Sequence, residues 1–142
     1  MKRCINIYGR LLSLFLIILL VGCSEKSSFE IIGNDPKILI HNLNGGMEAE
    51  VTGTVIYDEE HKFILLQDEE GNDISIPIWP QGTTAIVEGD VHGVEIPKFG
   101  KLIEGDSVKA SGGGIENDEL SDLNIPEQYK GANFKVISTM TK

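Results

Sequence analysis

The stretch that decides the fold is EAEVTGTVIYDEEHKFILLQDEEGNDISIPIW, residues 48–79. Its first part places Val51, Val55 and Tyr57 on one face, with the two-residue period of a β-strand and not the 3.6-residue period of a helix. Acidic turns at residues 58–60 and 68–72 divide the stretch into three strands. Because these connections are short, we expect an antiparallel meander.

The second and third strands of this meander differ in pattern. Residues 62–67, KFILLQ, are apolar enough to be covered on both faces, whereas Ile74, Ile76 and Ile78 share one face of the third strand. Pro77 lies between two of these isoleucines, and a proline has no N–H to donate to a neighbouring strand. We therefore expect the third strand to lie at an edge or to be bulged at this proline.

The chain after the meander mixes irregular stretches with two further strands. Residues 80–100 are rich in glycine and proline and predict a long excursion with one short strand at 84–87. A turn at Gly105-Asp106 then starts a strand on which Val108 and Ala110 face inward.

The last part of the chain is acidic before it becomes apolar. Leu120, Leu123 and Tyr129 are spaced for one or two short helical turns, interrupted by Pro126. Residues 134–140 alternate again and predict the final strand, whereas residues 37–41 predict either a first strand or a lead-in to the domain.

This order of elements resembles a five-stranded OB-type barrel, and Leu102-x-x-Gly105-Asp106-x-Val108 is typical of the fourth strand of such domains. The segments that resemble its strands are residues 51–58, 62–68, 73–79, 102–112 and 134–140. The chain departs from the pattern because no helix is predicted between the third and fourth strands. We expect an all-β domain with minor α content, in the form of a small OB-like antiparallel barrel; another small antiparallel barrel or an open roll is the alternative.

The first 22 residues predict export. A basic start precedes the apolar residues 11–21, which as a helix rise about 16 Å against the roughly 30 Å of a bilayer core. The next step, Leu20-Val21-Gly22-Cys23, resembles the lipobox of bacterial lipoproteins. This resemblance implies cleavage between Gly22 and Cys23 and a diacylglycerol on the Cys23 sulfur; an uncleaved anchor or a buried, inert Cys23 is the alternative.

The predicted organisation is a signal peptide over residues 1–22, a lipidated cysteine with a flexible tether over 23–36, and a single OB-like domain over 37–142. The tether is expected to begin to order at Phe29. Two acyl chains suffice for stable anchoring, so we expect the protein on the extracytoplasmic face of the cell membrane. The leader, the compact β domain and the Gly-Asp-x-Val-x-x-x-Gly strand together resemble small uncharacterised lipoproteins of Gram-positive bacteria, a likeness that implies no established chemistry.

Charge and cysteine content narrow the possible partners. From Cys23 onward the chain has nine lysines, no arginine and 22 acidic residues, a net charge of −13. Nucleic acid as a partner is excluded on this basis, because phosphate backbones are bound by clustered lysine and arginine. Cys4 lies in the leader and Cys23 is the lipid site, so the folded part has no thiol and its stability must come from a hydrophobic core.

No pattern for a metal, a cofactor or a catalytic nucleophile is present. His41, His61 and His92 lie in separate segments, without the close pairs that zinc sites use, and the acidic turn at 68–73 lacks the spacing of a helix-loop-helix calcium loop. The chain also has no Gly-x-Ser-x-Gly, phosphate-loop or Ser-x-x-Lys motif. We expect no metal, no cofactor and no catalysis.

The aromatic residues provide a hypothesis about the binding surface. A stacking platform of the kind that OB barrels use would draw on Tyr57, Trp79, Phe99 and Tyr129. The alternative interpretation, which we favour, is that Trp79 and Phe63 plug the interior of the barrel.

The sequence therefore predicts a non-catalytic, lipid-anchored binding module for a protein, a peptide or an envelope polymer, with the loops at 80–100 and 112–133 as contact surface. One alternative is a small cell-envelope hydrolase with paired carboxylates, and another is an accessory subunit of an envelope complex. Acids that converge in one cleft favour the hydrolase. A shallow apolar patch favours a binding surface.

Overall fold

The computed structural model describes residues 27–141. Two 3-10 helices, Asn117–Leu120 and Glu127–Tyr129, lie in the acidic stretch where the sequence predicts helical turns. The strands within this range are β1 Phe29–Ile32, β2 Ile38–His41, β3 Ala49–Asp58, β4 Phe63–Gln67, β5 Ile74–Pro80, β6 Thr84–Glu88, β7 Val91–Ile96, β8 Gly100–Ile103, β9 Ser107–Ile115 and β10 Asn133–Met140.

Five of these strands close into a barrel, in the order β3, β4, β5, β10, β9 and back to β3. Four of the five pairings are antiparallel, and β5 pairs with β10 in parallel, with Ser75 beside Asn133. The ring closes between β4 and β5, where Leu66 pairs with Ser75. The prediction of an all-β, OB-like five-stranded barrel is confirmed.

The barrel strands bury side chains on both faces. On β4, Ile64 and Leu66 point into the barrel, while Phe63 and Leu65 point to its outside. The inner cluster includes Val51, Val55, Trp79, Val108, Ala110 and Ile137. Alternate residues of one strand face opposite sides, so a run that is apolar throughout needs cover on both.

A second apolar cluster covers the outside of β4, β5, β10 and β2. The segment between β9 and β10, residues 116–132, lies over this face and contributes Leu120 and Tyr129. The other members are Phe29, Leu39, Phe63, Leu65, Ile76, Ile78, Phe134 and Val136. The face of β5 that carries Ile76 and Ile78 is therefore on the outside of the barrel. It is covered by residues 116–132, the segment between β9 and β10.

The folded domain begins before residue 37, the start expected from the sequence. Phe29–Ile32, within the predicted tether, forms β1 and pairs antiparallel with β2 over four residues. Phe29 is buried in the outer cluster, which is why the chain is ordered here. The strand β2 extends the sheet by pairing in parallel with the end of β5.

The expectation that Pro77 places its strand at an edge, or bulges it there, is wrong. β5 has neighbours on both sides, and Pro77 is paired with Lys135 of β10 without a register shift. On the opposite side, β4 pairs with Ile74 and Ser75, and β2 pairs with residues 78–80. Pro77 falls between these two partners, so its missing N–H costs no ladder bond on that side.

The predicted excursion at 80–100 is a three-stranded antiparallel sheet, β6-β7-β8. The short strand expected at 84–87 corresponds to β6, whereas β7 and β8 were not predicted, and β8 takes the first residues of the segment assigned to the fourth barrel strand. Val94, Ile96 and Leu102 of this sheet pack into the barrel cluster. The sheet thus closes the end of the barrel in the absence of a helix.

Two glycines of β9 provide a matched test of this packing. A methyl group on Gly112 would lie 1.9 Å from the carbonyl oxygen of Val136 on the neighbouring strand, whereas one on Gly114 would be 3.9 Å from its nearest neighbour, the Phe134 oxygen. We expect Gly112→Ala to lower the free energy of unfolding by about 3 kcal/mol, since a closed barrel resists the necessary strand shift. We expect Gly114→Ala to change it by no more than about 0.5 kcal/mol. Denaturant unfolding followed by circular dichroism measures both, and equal effects would contradict the packing described.

Candidate functional site

An open apolar cleft of about 480 Å³ lies where the segment 116–132 meets the outer face of β3, β4 and β5. Its lining residues are Ile56, Asp58, Leu65, Ile74, Ile76, Gln128, Tyr129 and Ala132. Ile74 is 47% exposed, one of the two large apolar side chains most open to solvent among the described residues. Asp58 is the one charged group in the lining.

Asp58 fixes the shape of one end of the cleft. Its Oδ1 accepts a hydrogen bond from the backbone N–H of Glu60, at 2.9 Å, and so closes the turn between β3 and β4. Its Oδ2 accepts hydrogen bonds from the Tyr129 hydroxyl and from Gln128 Nε2, the latter at 3.3 Å, and lies 3.1 Å from His61 Nδ1. One carboxylate therefore joins the turn to the segment 116–132.

Aromatic packing supports the same end of the cleft. The Tyr129 ring meets the rings of His61 and Phe63 edge to face, with centroids 5.6 Å apart in both pairs. Tyr129 is 8% exposed, so its ring forms a wall of the cleft and presents little free surface. Edge-to-face pairs of this kind add about 0.5–1.5 kcal/mol each to the burial of the rings.

The four residues of the predicted aromatic platform do not come together. Tyr129 belongs to the outer cluster, whereas Trp79 lies inside the barrel and Tyr57 and Phe99 pack against the inner cluster. Trp79 is fully buried, and its Nε1 has no hydrogen-bond partner among residues 27–141. The interpretation that Trp79 plugs the barrel is confirmed. The same interpretation of Phe63 is wrong, because Phe63 is buried in the apolar cluster on the outside of the barrel.

A second polar cluster fastens the three-stranded sheet to the barrel. The His92 ring stacks on Tyr57 with centroids 3.6 Å apart. Glu104 Oε2 accepts a hydrogen bond from the His92 backbone N–H at 2.7 Å and lies 3.1 Å from the ring Nδ1. On the opposite side of the ring, Asp35 Oδ1 is 3.8 Å from Nε2. The two carboxylates converge on a histidine that holds two sheets together.

Tyr57 is the most strongly perturbed titratable group in this cluster. Desolvation, the hydrogen bond that its hydroxyl donates to Asp35, and the nearby negative charges of Asp35, Glu59 and Glu104 raise the pKa of Tyr57 to about 12. The phenol therefore keeps its proton in the ordinary pH range and remains a donor to Asp35. This is a structural role, because Tyr57 supports the stacked His92 ring.

His41 and the acidic turn at 68–73, which were considered as metal ligands, form hydrogen bonds with neighbouring groups instead. His41 is buried, with Nε2 2.8 Å from the Ile137 carbonyl oxygen and Nδ1 3.2 Å from the Leu43 backbone N–H, which suits a neutral ring that donates to the first and accepts from the second. In the acidic turn, Asp68 accepts the Asn72 backbone N–H at 2.8 Å. Within residues 27–141, no group of three or more histidine, cysteine, aspartate or glutamate side chains is arranged to hold a metal ion.

The two loops that are expected to form the contact surface differ in structure. Residues 80–100 are mostly sheet, and Gln128, Tyr129 and Ala132 of the predicted loop 112–133 line the cleft. The predicted cleavage and lipidation residues, Gly22 and Cys23, lie outside the described residues. In the described part of the chain no helix combines the length and the apolar character needed to span a bilayer.

Comparison with known proteins returns no match to a protein-family model, a curated protein or a solved structure.

Asp58→Asn tests whether this carboxylate holds the cleft together. We expect hydrogen exchange in residues 116–132 to accelerate. The NH2 group of the asparagine would face groups that themselves donate hydrogen bonds, and the charge-assisted hydrogen bonds of the carboxylate would be lost. We expect this to destabilise the contact by about 1–3 kcal/mol. The neighbouring exposed Glu59 provides the control, as Glu59→Gln removes the same charge outside the cleft lining. Unchanged exchange in the Asp58 variant would show that the segment is held by apolar packing alone.

Proposed function

We propose that this protein is a lipid-anchored, extracytoplasmic binding module whose ligand site is the cleft beside Asp58. The observation that carries the proposal is the position of the cleft. It lies on the face of the second and third barrel strands, between the loops after the first and the fourth strands, where OB barrels bind their ligands. The lipobox-like Leu20-Val21-Gly22-Cys23 supports the lipid anchor.

The chemistry of the cleft indicates what it binds. Its floor of Ile56, Leu65 and Ile76 accepts an apolar group. The negative charge of Asp58 at its rim favours a ligand with a positive charge. A volume of about 480 Å³ accommodates one or two side chains of a peptide or a short piece of an envelope polymer. Polyanions are disfavoured by the net charge of −13 on the chain from Cys23 onward.

The arrangement of acids favours binding over hydrolysis. Glycosidases that use paired carboxylates need both to face one substrate cleft, about 5–10 Å apart. Asp58 is the one acid in the lining of the candidate cleft, and Asp35 and Glu104, which converge on His92 at another place in residues 27–141, are engaged with its ring. A non-catalytic module is therefore the function that we infer.

A photocrosslinking pair tests the site in living cells. Ile74 and Val87 are similarly exposed, at 47% and 48%, but only Ile74 lines the cleft, while Val87 lies on β6. We expect a photoreactive phenylalanine analogue at position 74 to give a discrete adduct, identified by mass spectrometry, and the same analogue at position 87 to give none. No adduct at either position, or the same adduct at both, would argue against the cleft as the binding site.

Cys23→Ala tests the anchor. Loss of the thiol removes the attachment point for the acyl chains, each methylene of which contributes about 0.8 kcal/mol to membrane binding. We expect the variant to leave the membrane fraction of fractionated cells, and Cys4→Ala, in the leader, to leave the distribution unchanged. Full membrane retention of the Cys23 variant would overturn the lipoprotein assignment.

A further inference from the structure

A second open cleft, also of about 480 Å³, lies at the carboxyl ends of β5 and β10. It is formed by the end of β5, the β7–β8 hairpin and the last residues of β10. Its lining residues are Pro80, Gln81, Ile96, Pro97, Lys98, Phe99, Ser138, Thr139 and Met140. None of the nine is acidic and one, Lys98, is basic, in a chain with 22 acidic residues.

The start of the described chain lies beside this second cleft. Ser27 and Gln81 line a common crevice, and Gln81 also lines the cleft itself. Ser27 lies four positions after Cys23, and a chain of that length spans at most about 14 Å. A lipid on Cys23 would therefore be confined to the neighbourhood of the second cleft.

The opposite end of the molecule is acidic. β5 and β10 run in parallel, so the segments that precede them lie at the same end. They are the turn 68–73, with four acidic residues, and the start of the segment 116–132, where Glu116 and Asp118 line a pocket with Asn133 at the beginning of β10. β5 separates this end from Gln81 by about 20 Å, at 3.3 Å per residue over Ile74–Pro80.

We propose that the second cleft rests on the lipid surface, so that the barrel has a fixed orientation on the membrane. The inference depends on the lipid anchor at Cys23 proposed above. Pro97, Phe99 and Met140 supply apolar surface for the boundary between headgroups and acyl chains, and the long side chain of Lys98 reaches lipid phosphates. The acidic end is repelled by anionic lipids.

This orientation directs the Ile74 and Ala132 side of the ligand cleft away from the membrane. Ile74 begins β5 and Ala132 directly precedes β10, so this side of the candidate site lies at the acidic end. The Asp58 side lies further along β5, because Asp58 pairs with Phe63 at the start of β4 and the end of β4 pairs with the start of β5. A partner in the envelope then reaches the Ile74 and Ala132 side without crossing the lipid headgroups.

Fluorophore quenching tests the orientation in the mature protein, purified from cell membranes and reconstituted into vesicles of phosphatidylcholine and phosphatidylglycerol. The folded part has no other thiol, so Thr139→Cys at the second cleft and Asn72→Cys in the acidic turn each take one thiol-reactive dye. Both sites are exposed. We expect headgroup-labelled nitroxide lipids to quench the dye at 139 several-fold more than the dye at 72. Equal quenching, or stronger quenching at 72, would overturn the proposed orientation.

Charge variants separate lipid contact from mere proximity to the tether. In the chain labelled at 139, Lys98→Glu should reduce quenching, whereas Lys130→Glu, in the segment at the acidic end, should not. Equal quenching in the two variants would show that Lys98 does not contact lipid and would overturn that part of the proposal. Cell fractionation before reconstitution distinguishes the two proposals: a chain absent from membranes refutes the anchor and this inference together, whereas an anchored chain with the wrong quenching pattern refutes only the orientation.

Discussion

The parallel pairing of β5 with β10 is the constraint on which the rest of the molecule depends. Because these strands run side by side in one direction, Ile74 at the start of β5 and Ala132 just before β10 line the same cleft. The same pairing brings the β7–β8 hairpin and the carboxyl end of β10 together at their finish. It also closes the barrel and positions the outer face that the segment 116–132 covers. Both clefts follow from this one register.

Much of the fold can be predicted from the sequence, because side chains alternate between the two faces of a barrel strand and this alternation is visible over a few residues. Alternation identified β3, β5 and β10, and a continuous apolar run identified β4. The spacing of Leu120 and Tyr129 identified the helical turns. β7 and β8 are not predicted from the sequence, because the glycines of residues 80–100 indicate a loop. A methyl group on Gly93 would lie 2.1 Å from the Leu102 carbonyl oxygen, so this glycine is required by close contact between two strands. Composition alone does not distinguish the two reasons for a glycine.

The candidate site was harder to predict than the fold, for a physical reason. Ile74, Ile76 and Ile78 share a face in the sequence, but the pattern does not say whether that face lies inside or outside a barrel. The contact that shapes the cleft joins Asp58 to Tyr129, 71 residues apart, and no local pattern encodes such a pairing. The sequence offers Tyr129 as one of four aromatics in a stacking platform, the interpretation that was not favoured, and in the structure Tyr129 forms a wall of the cleft and donates a hydrogen bond to Asp58.

The short strand β1 has a mechanical consequence. With a lipid on Cys23, a force on the anchor reaches the domain at Ser28, whose carbonyl oxygen accepts the Asn42 backbone N–H, and at Phe29, the first residue of β1. Four residue pairs join β1 to β2, and the Phe29 ring is inserted in the outer cluster. A force along β1 acts on all four β1–β2 residue pairs at once. It must also pull the Phe29 ring out of the outer cluster, so the hydrogen bonds share the force and do not break one at a time. The junction between tether and barrel is thus a shear-resistant attachment.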